Sequence, residues 1–138
     1  MGNKPVVHFY EKPGCINNTR QKQLLREAGL ALQVHNLLTT NWQAEELMRY
    51  LQGKPLAACF NPTSPAIKSG QIKPDALNQQ QMIAAMQQDP LLIRRPLIRI
   101  GNSCLQGFDW PLLQQLLGLE TGVNAPEDIE RCPQQAAG

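Results

Sequence analysis

From Pro5 to Tyr10 the chain reads PVVHFY, apolar, β-branched and aromatic, and Pro13-Gly14 follows shortly. That composition describes a buried strand ended by a turn. Beyond Cys15, the positions Gln21, Leu24, Leu25 and Ala28 recur at i, i+3, i+4 and i+7, with Gly29 as a stop. The spacing predicts a helix. A strand, a tight loop carrying Cys15 and a helix thus succeed one another. The stretch ALQVHNLL, from Ala31 to Leu38, alternates Leu32 and Val34 with polar neighbours and predicts a second strand. Together the three segments confine the chain to folds built on a β-α-β unit.

Thr40, with Gln43 three residues on, has the form of a capping box opening a helix whose apolar stripe is Ala44, Leu47, Met48 and Leu51. Between Gly53 and Pro74 lie four of the eleven prolines, so this stretch is expected to be irregular or broken into short helices. A helical pattern resumes from Asp75 to Gln88 around Ala76, Ile83 and Met86, and Asp89-Pro90 ends it. Gly101-Asn102 is a two-residue loop between Leu97–Ile100 and Ser103–Gln106, the signature of a hairpin that sets Ile98 opposite Leu105 and Arg99 opposite Cys104. Asp109 then caps a closing helix carrying Leu112, Leu113, Leu116 and Leu117. Strand, helix, strand, helices, hairpin, helix is the thioredoxin-like order. It predicts an α/β fold with a mixed four-stranded sheet flanked by helices and a helical insertion before the C-terminal hairpin. Residues 1–118 form the expected domain. Residues 119–138, rich in Glu, Gln, Pro and Ala and without periodicity, are expected to be a mobile tail.

Composition narrows the functions. The 138 residues carry a formal net charge of +2, and a chain of this length buries roughly two-thirds of its surface without needing a metal or disulfide staple. No run approaches the ~18 apolar residues of a membrane span, and MGNKPVVHFYEKPG lacks the apolar core of a secretory signal. A cytoplasmic protein is expected. Its acidic and basic residues are interspersed, so neither a membrane nor direct nucleic-acid binding is anticipated. Sixteen glutamines read as soluble, uncharged helix faces. The cysteines lie 44, 45 and 28 positions apart with no C-x-x-C pair, which speaks against a zinc cluster or a disulfide framework and leaves no bound cofactor in prospect.

Cys15 is the candidate nucleophile, because free backbone N–H groups and the positive end of a helix dipole at its position would stabilise a thiolate. The plain alternative is a small residue that fits a turn. Three residues on, where a resolving cysteine often stands, is Asn18, so an oxidised Cys15 would need glutathione, a partner thiol or another cysteine. Cys59 and Cys104 read as core, and Cys132 as incidental to the tail. His8 and His35 read as satisfied strand side chains. The run Asp89 to Leu97 is an apolar segment broken by Arg94 and Arg95 before Pro96. Thioredoxin-like proteins place a cis proline before the third strand, beside the active cysteine, and Pro96 is well placed for it; one of the two arginines could then hold a thiolate or an oxyanion.

These segments resemble a known family. Phe9 through Lys22 (FYEKPGCINNTRQK), Lys68-Ser69-Gly70, Asp89 through Leu97 and Gly107-Phe108-Asp109 are similar to the glutaredoxin-linked arsenate reductases (ArsC) and the related Spx regulators, above all to nitrogenase-associated relatives. The resemblance implies a thioredoxin-like fold with Cys15 as nucleophile and Arg95 as an oxyanion-binding arginine; Pro96, Arg94, Arg20 and Asn18 are the candidate substrate contacts. It also implies glutathione or glutaredoxin as reductant and a protein partner in nitrogen fixation. Thr19 stands where arsenate reductases carry an arginine, and their other two anion-holding arginines fall near Asn61 and Gln106. One arginine in place of three is a weak oxyanion site. Three readings follow: a redox protein with an accessible, low-pKa Cys15; a non-catalytic binding module; and a glutaredoxin-dependent arsenate reductase, which these departures disfavour.

Overall fold

The computed structural model describes residues 6–118; the expected tail, Cys132 included, lies outside the described residues. The apolar run forms β1 (Val7–Glu11), followed by α1 (Ile16–Glu27) and β2 (Leu32–Asn36). Then come α2 (Ala44–Leu51), the four-residue α3 (Pro65–Lys68) and α4 (Gln79–Gln88), with 3-10 turns at Leu56–Cys59, Pro74–Ala76 and Pro90–Leu92. The hairpin of β3 (Leu97–Ile100) and β4 (Ser103–Gln106) leads to α5 (Trp110–Leu117). The sheet order is β2-β1-β3-β4, with β1 parallel to β2 and antiparallel to β3. Ile98 faces Leu105 and Arg99 faces Cys104, the register expected from Gly101-Asn102.

Strand alternation divides the core in two. Val7 and Phe9, paired with Ile100 and Ile98, point to one face, where Leu25 of α1 and Trp110, Leu113 and Leu117 of α5 cover them. Tyr10 and Leu97 point to the other, against Leu47, Tyr50 and Leu51 of α2 and Met82, Ile83 and Met86 of α4. The result is helices, sheet, helices: a thioredoxin-like fold with its insertion on one side.

Two sequence expectations are corrected. Thr40 opens no helix: its hydroxyl donates to the Asn36 carbonyl at 2.8 Å, and α2 begins after Gln43 without a side-chain cap. The helix predicted from Asp75 starts at Gln79, because the capping box is Asn78 with Gln81, their side chains and backbones bonded reciprocally at 2.8 and 2.9 Å. Val34 is exposed, since β2 is an edge strand that α1 covers incompletely. Leu112 and Leu116 also face outward; the buried stripe of α5 runs through Trp110, Leu113, Gln114 and Leu117. Among the described residues no helix is long and apolar enough to cross a membrane.

Candidate functional site

Cys15 occupies the N-cap of α1 in an extended conformation. Its N–H donates to the Lys12 carbonyl at 3.1 Å, closing the turn in which Gly14 has a φ of +85°. Its own carbonyl accepts the Thr19 N–H at 3.1 Å and the Thr19 hydroxyl at 3.2 Å. The backbone is therefore fixed on both sides of the sulfur. Two expectations change here. The residue is only 8% exposed, not openly accessible. Its side chain also accepts no capping hydrogen bond from the first turn.

Asn18 is buried, and both ends of its amide are used. Its Oδ1 accepts the Lys12 N–H at 3.1 Å, and its Nδ2 donates to Gln21 Oε1 at 3.0 Å. A side chain at the resolving-cysteine position thus ties the Cys15 loop to α1. Lys22 pairs with Glu11 across the same corner. Arg20 is exposed on α1.

The second half of the site comes from the segment before β3. The Arg95–Pro96 peptide is cis, as the sequence suggested. β1 and β3 pair up to Tyr10 and Leu97, so the loop that leaves β1 and the Arg95-Pro96 segment that enters β3 start from the same end of the ladder. That loop ends in Cys15. Pro96 is buried, and its carbonyl accepts the Gly107 N–H at 2.8 Å. Arg95 is half-buried, and its Nε has no hydrogen-bond partner among the described residues. The Arg94 N–H donates to the Cys59 carbonyl at 3.0 Å.

Asn61 and Gln106 are buried amides tied to this segment. The Asn61 N–H donates to the Leu92 carbonyl at 2.8 Å and its Nδ2 to the Leu91 carbonyl at 3.3 Å. Gln106 Nε2 donates to the carbonyls of Cys59 at 3.0 Å and Arg94 at 2.9 Å. Both side chains hold the turn at Leu56–Cys59 and the approach to Pro96 in place. Sequence reasoning saw them only as absent arginines; their bonding role depends on carbonyls far away in the chain.

The other groups lie apart. Cys59 is 1% exposed, and burial pushes its thiol up despite the opposing Lys54 and Arg94 charges. Cys104 is half-buried on the α2 side of the sheet. His8 and His35 pair with each other, Nδ1 to Nε2 at 3.1 Å, and His35 stacks on Tyr10. No three His, Cys, Asp or Glu side chains of the described residues group to hold a metal.

Known proteins place this arrangement. The sequence model of the ArsC family matches residues 12–114, from the Cys15 loop into α5. The chain belongs to the ArsC family. An uncharacterized 15.7 kDa protein from the draG 3' region of Rhodospirillum rubrum is 44% identical over 130 residues, 94% of this chain and 90% of that one. The arsenate reductase of Vibrio cholerae, 26% identical, superposes with a TM-score of 0.67 over 86% of this chain and 100% of its own. An ArsC-family related protein from Bacteroides fragilis, 24% identical, superposes at 0.71 over 83% of this chain and 99% of its own. In this ArsC-family protein Arg95 directly precedes the cis proline.

Proposed function

We propose that the protein is a cytoplasmic thiol redox protein in which Cys15 forms a mixed disulfide or is reversibly oxidised. The carrying observation is that Cys15, at the N-cap of α1, and the cis Arg95-Pro96 segment both extend from the same end of the β1–β3 ladder. Cys15 supplies the sulfur nucleophile, and the Arg95 guanidinium stabilises negative charge on it or on a departing sulfur. With Asn18 at the resolving position and bonded into the loop, reduction falls to glutathione, glutaredoxin or a partner thiol. Similarity to a protein encoded beside draG, a nitrogen-fixation locus, supports a partner in nitrogen fixation.

Incubation with oxidised glutathione followed by peptide mapping tests the reading. One adduct is expected on the Cys15 peptide, and none there in Cys15→Ser. An unmodified Cys15 would overturn it.

A second reading, a non-catalytic binding module, draws on the burial of Cys15. It requires a partner whose binding is unchanged in Cys15→Ser. Arsenate reduction is not expected: an oxyanion needs several charge-assisted donors, and two of the matching positions hold neutral amides already bonded to the backbone.

A further inference from the structure

One register row across the sheet is polar. His8 pairs with Gln33 of β2 and with Arg99 of β3, and Arg99 pairs with Cys104 of β4. By strand alternation these four side chains share the face that carries Tyr10 and Leu97. The row of Tyr10 and Leu97 is buried under α2 and α4. In the polar row His8 and Arg99 are half-exposed and Gln33 is exposed, so the helices leave it partly open. It lies toward the start of β1, whereas Cys15 follows the end of that strand.

His35 joins the row from β2. Its Nε2 lies 3.1 Å from His8 Nδ1, and the two rings stack with centroids 5.3 Å apart. Among the described residues His8 Nε2, His35 Nδ1 and the Arg99 guanidinium have no hydrogen-bond or carboxylate partner. None of these nitrogens is a buried, unpaired atom, so they keep contact with solvent. The charges that bear on His8 are those of Arg99 and His35, both basic. From the elements around the cluster Tyr10 of β1, Cys104 of β4 and Tyr50 of α2 face it, and burial pushes the Tyr50 hydroxyl up.

Three basic side chains without an acid select an anion. A metal ion would be repelled by Arg99, and no third His, Cys, Asp or Glu of the described residues completes a ligand set. The hydrogen bond between the rings sets how they donate. With both neutral, one N–H is spent between them and a single N–H remains for the two outer nitrogens. One added proton gives each outer nitrogen an N–H. With the guanidinium, that makes donors on three side chains and two positive charges, the complement of a tetrahedral dianion. We propose that His8, His35 and Arg99 form a binding site for a sulfate or phosphate group of a small molecule, separate from the Cys15 site, and that binding takes up one proton on the histidine pair.

The chain has two histidines, so two Cε1–Hε1 cross-peaks in a carbon–proton correlation spectrum report on the site. Sulfate, doubly charged throughout, is titrated against the full chain with chloride holding the ionic strength constant. Both peaks should follow one saturating curve at about pH 6, with affinity at least about tenfold weaker at about pH 8, where the pair has lost its proton. Arg99→Gln should weaken binding about tenfold, the effect of losing one charge-assisted donor. Cys15→Ser should leave it unchanged. Phosphate and methyl phosphate separate the sources: saturation by both supports an esterified group as ligand, and by phosphate alone the free anion. Shifts that only grow linearly with sulfate, equal affinity at the two pH values, unchanged affinity in Arg99→Gln, or loss of binding in Cys15→Ser would overturn the site. Should Arg99→Gln fail to fold, His35→Gln, followed through the His8 peak, decides by the same criterion.

Discussion

At the scale of single residues, the site is held by amides more than by charges. Asn18 offers the clearest case, because its buried Oδ1 takes the Lys12 N–H while Gln21 anchors its other end. Truncating it strands both partners, so Asn18→Ala should cost about 1–3 kcal/mol in urea denaturation; a loss under about 0.5 kcal/mol would show the loop held by other means. The histidine pair gives a pH-dependent prediction. Burial, then the Arg99 and His35 charges, hold His8 below its ordinary value of 6.5. The unfolded chain then binds the extra proton first as pH drops. Stability from this group is therefore complete above about 6.5 and is lost as pH falls below it towards the folded value. Urea titrations between about pH 7.5 and 5.5 should show a steeper decline in the wild type than in His8→Gln; identical slopes would contradict it. Cys15 and Pro96 could be read from neighbouring residues. Asn18 and Gln106 could not, since their partners are backbone groups that only the folded chain brings near.

Among the elements, legibility followed how local the signal was. Gly101-Asn102 leaves a hairpin with a two-residue loop and one register, and β3 and β4 adopt it. Both ends of α1 were marked as well, by Pro13-Gly14 and by Gly29. The capping motif misled at Thr40, whose hydroxyl is taken by the turn after β2, and was overlooked at Asn78 and Gln81, where it forms. The motif alone does not say which backbone groups its hydroxyl will meet. Asn78→Ala should lower stability by about 1 kcal/mol in thermal or urea unfolding, and a neutral result would remove the capping box as the reason α4 starts there. The alternation in β2 was real, yet Val34 is exposed because an edge position depends on what packs over it, not on the strand's own pattern.

For the whole molecule, the sheet order explains why the proposed site gathers at one corner. β1 lies between β2 and β3, so the loop leaving β1 and the segment entering β3 meet at one end of the sheet, and the helices of the insertion wall the α2 side. The modest net charge of +2 agrees with a corner braced by the neutral amides Asn18, Asn61 and Gln106. The proposed redox function requires Cys15 to react as a nucleophile under the influence of Arg95. Timed alkylation of the native protein, with the modification of each cysteine quantified by peptide mass, measures this directly. Cys15 should react faster than Cys59 and Cys104 despite its burial, and Arg95→Gln should slow it by about three- to tenfold, the effect of losing one neighbouring cation. A Cys15 that reacts no faster than the core Cys59, or at an unchanged rate in Arg95→Gln, would contradict the account.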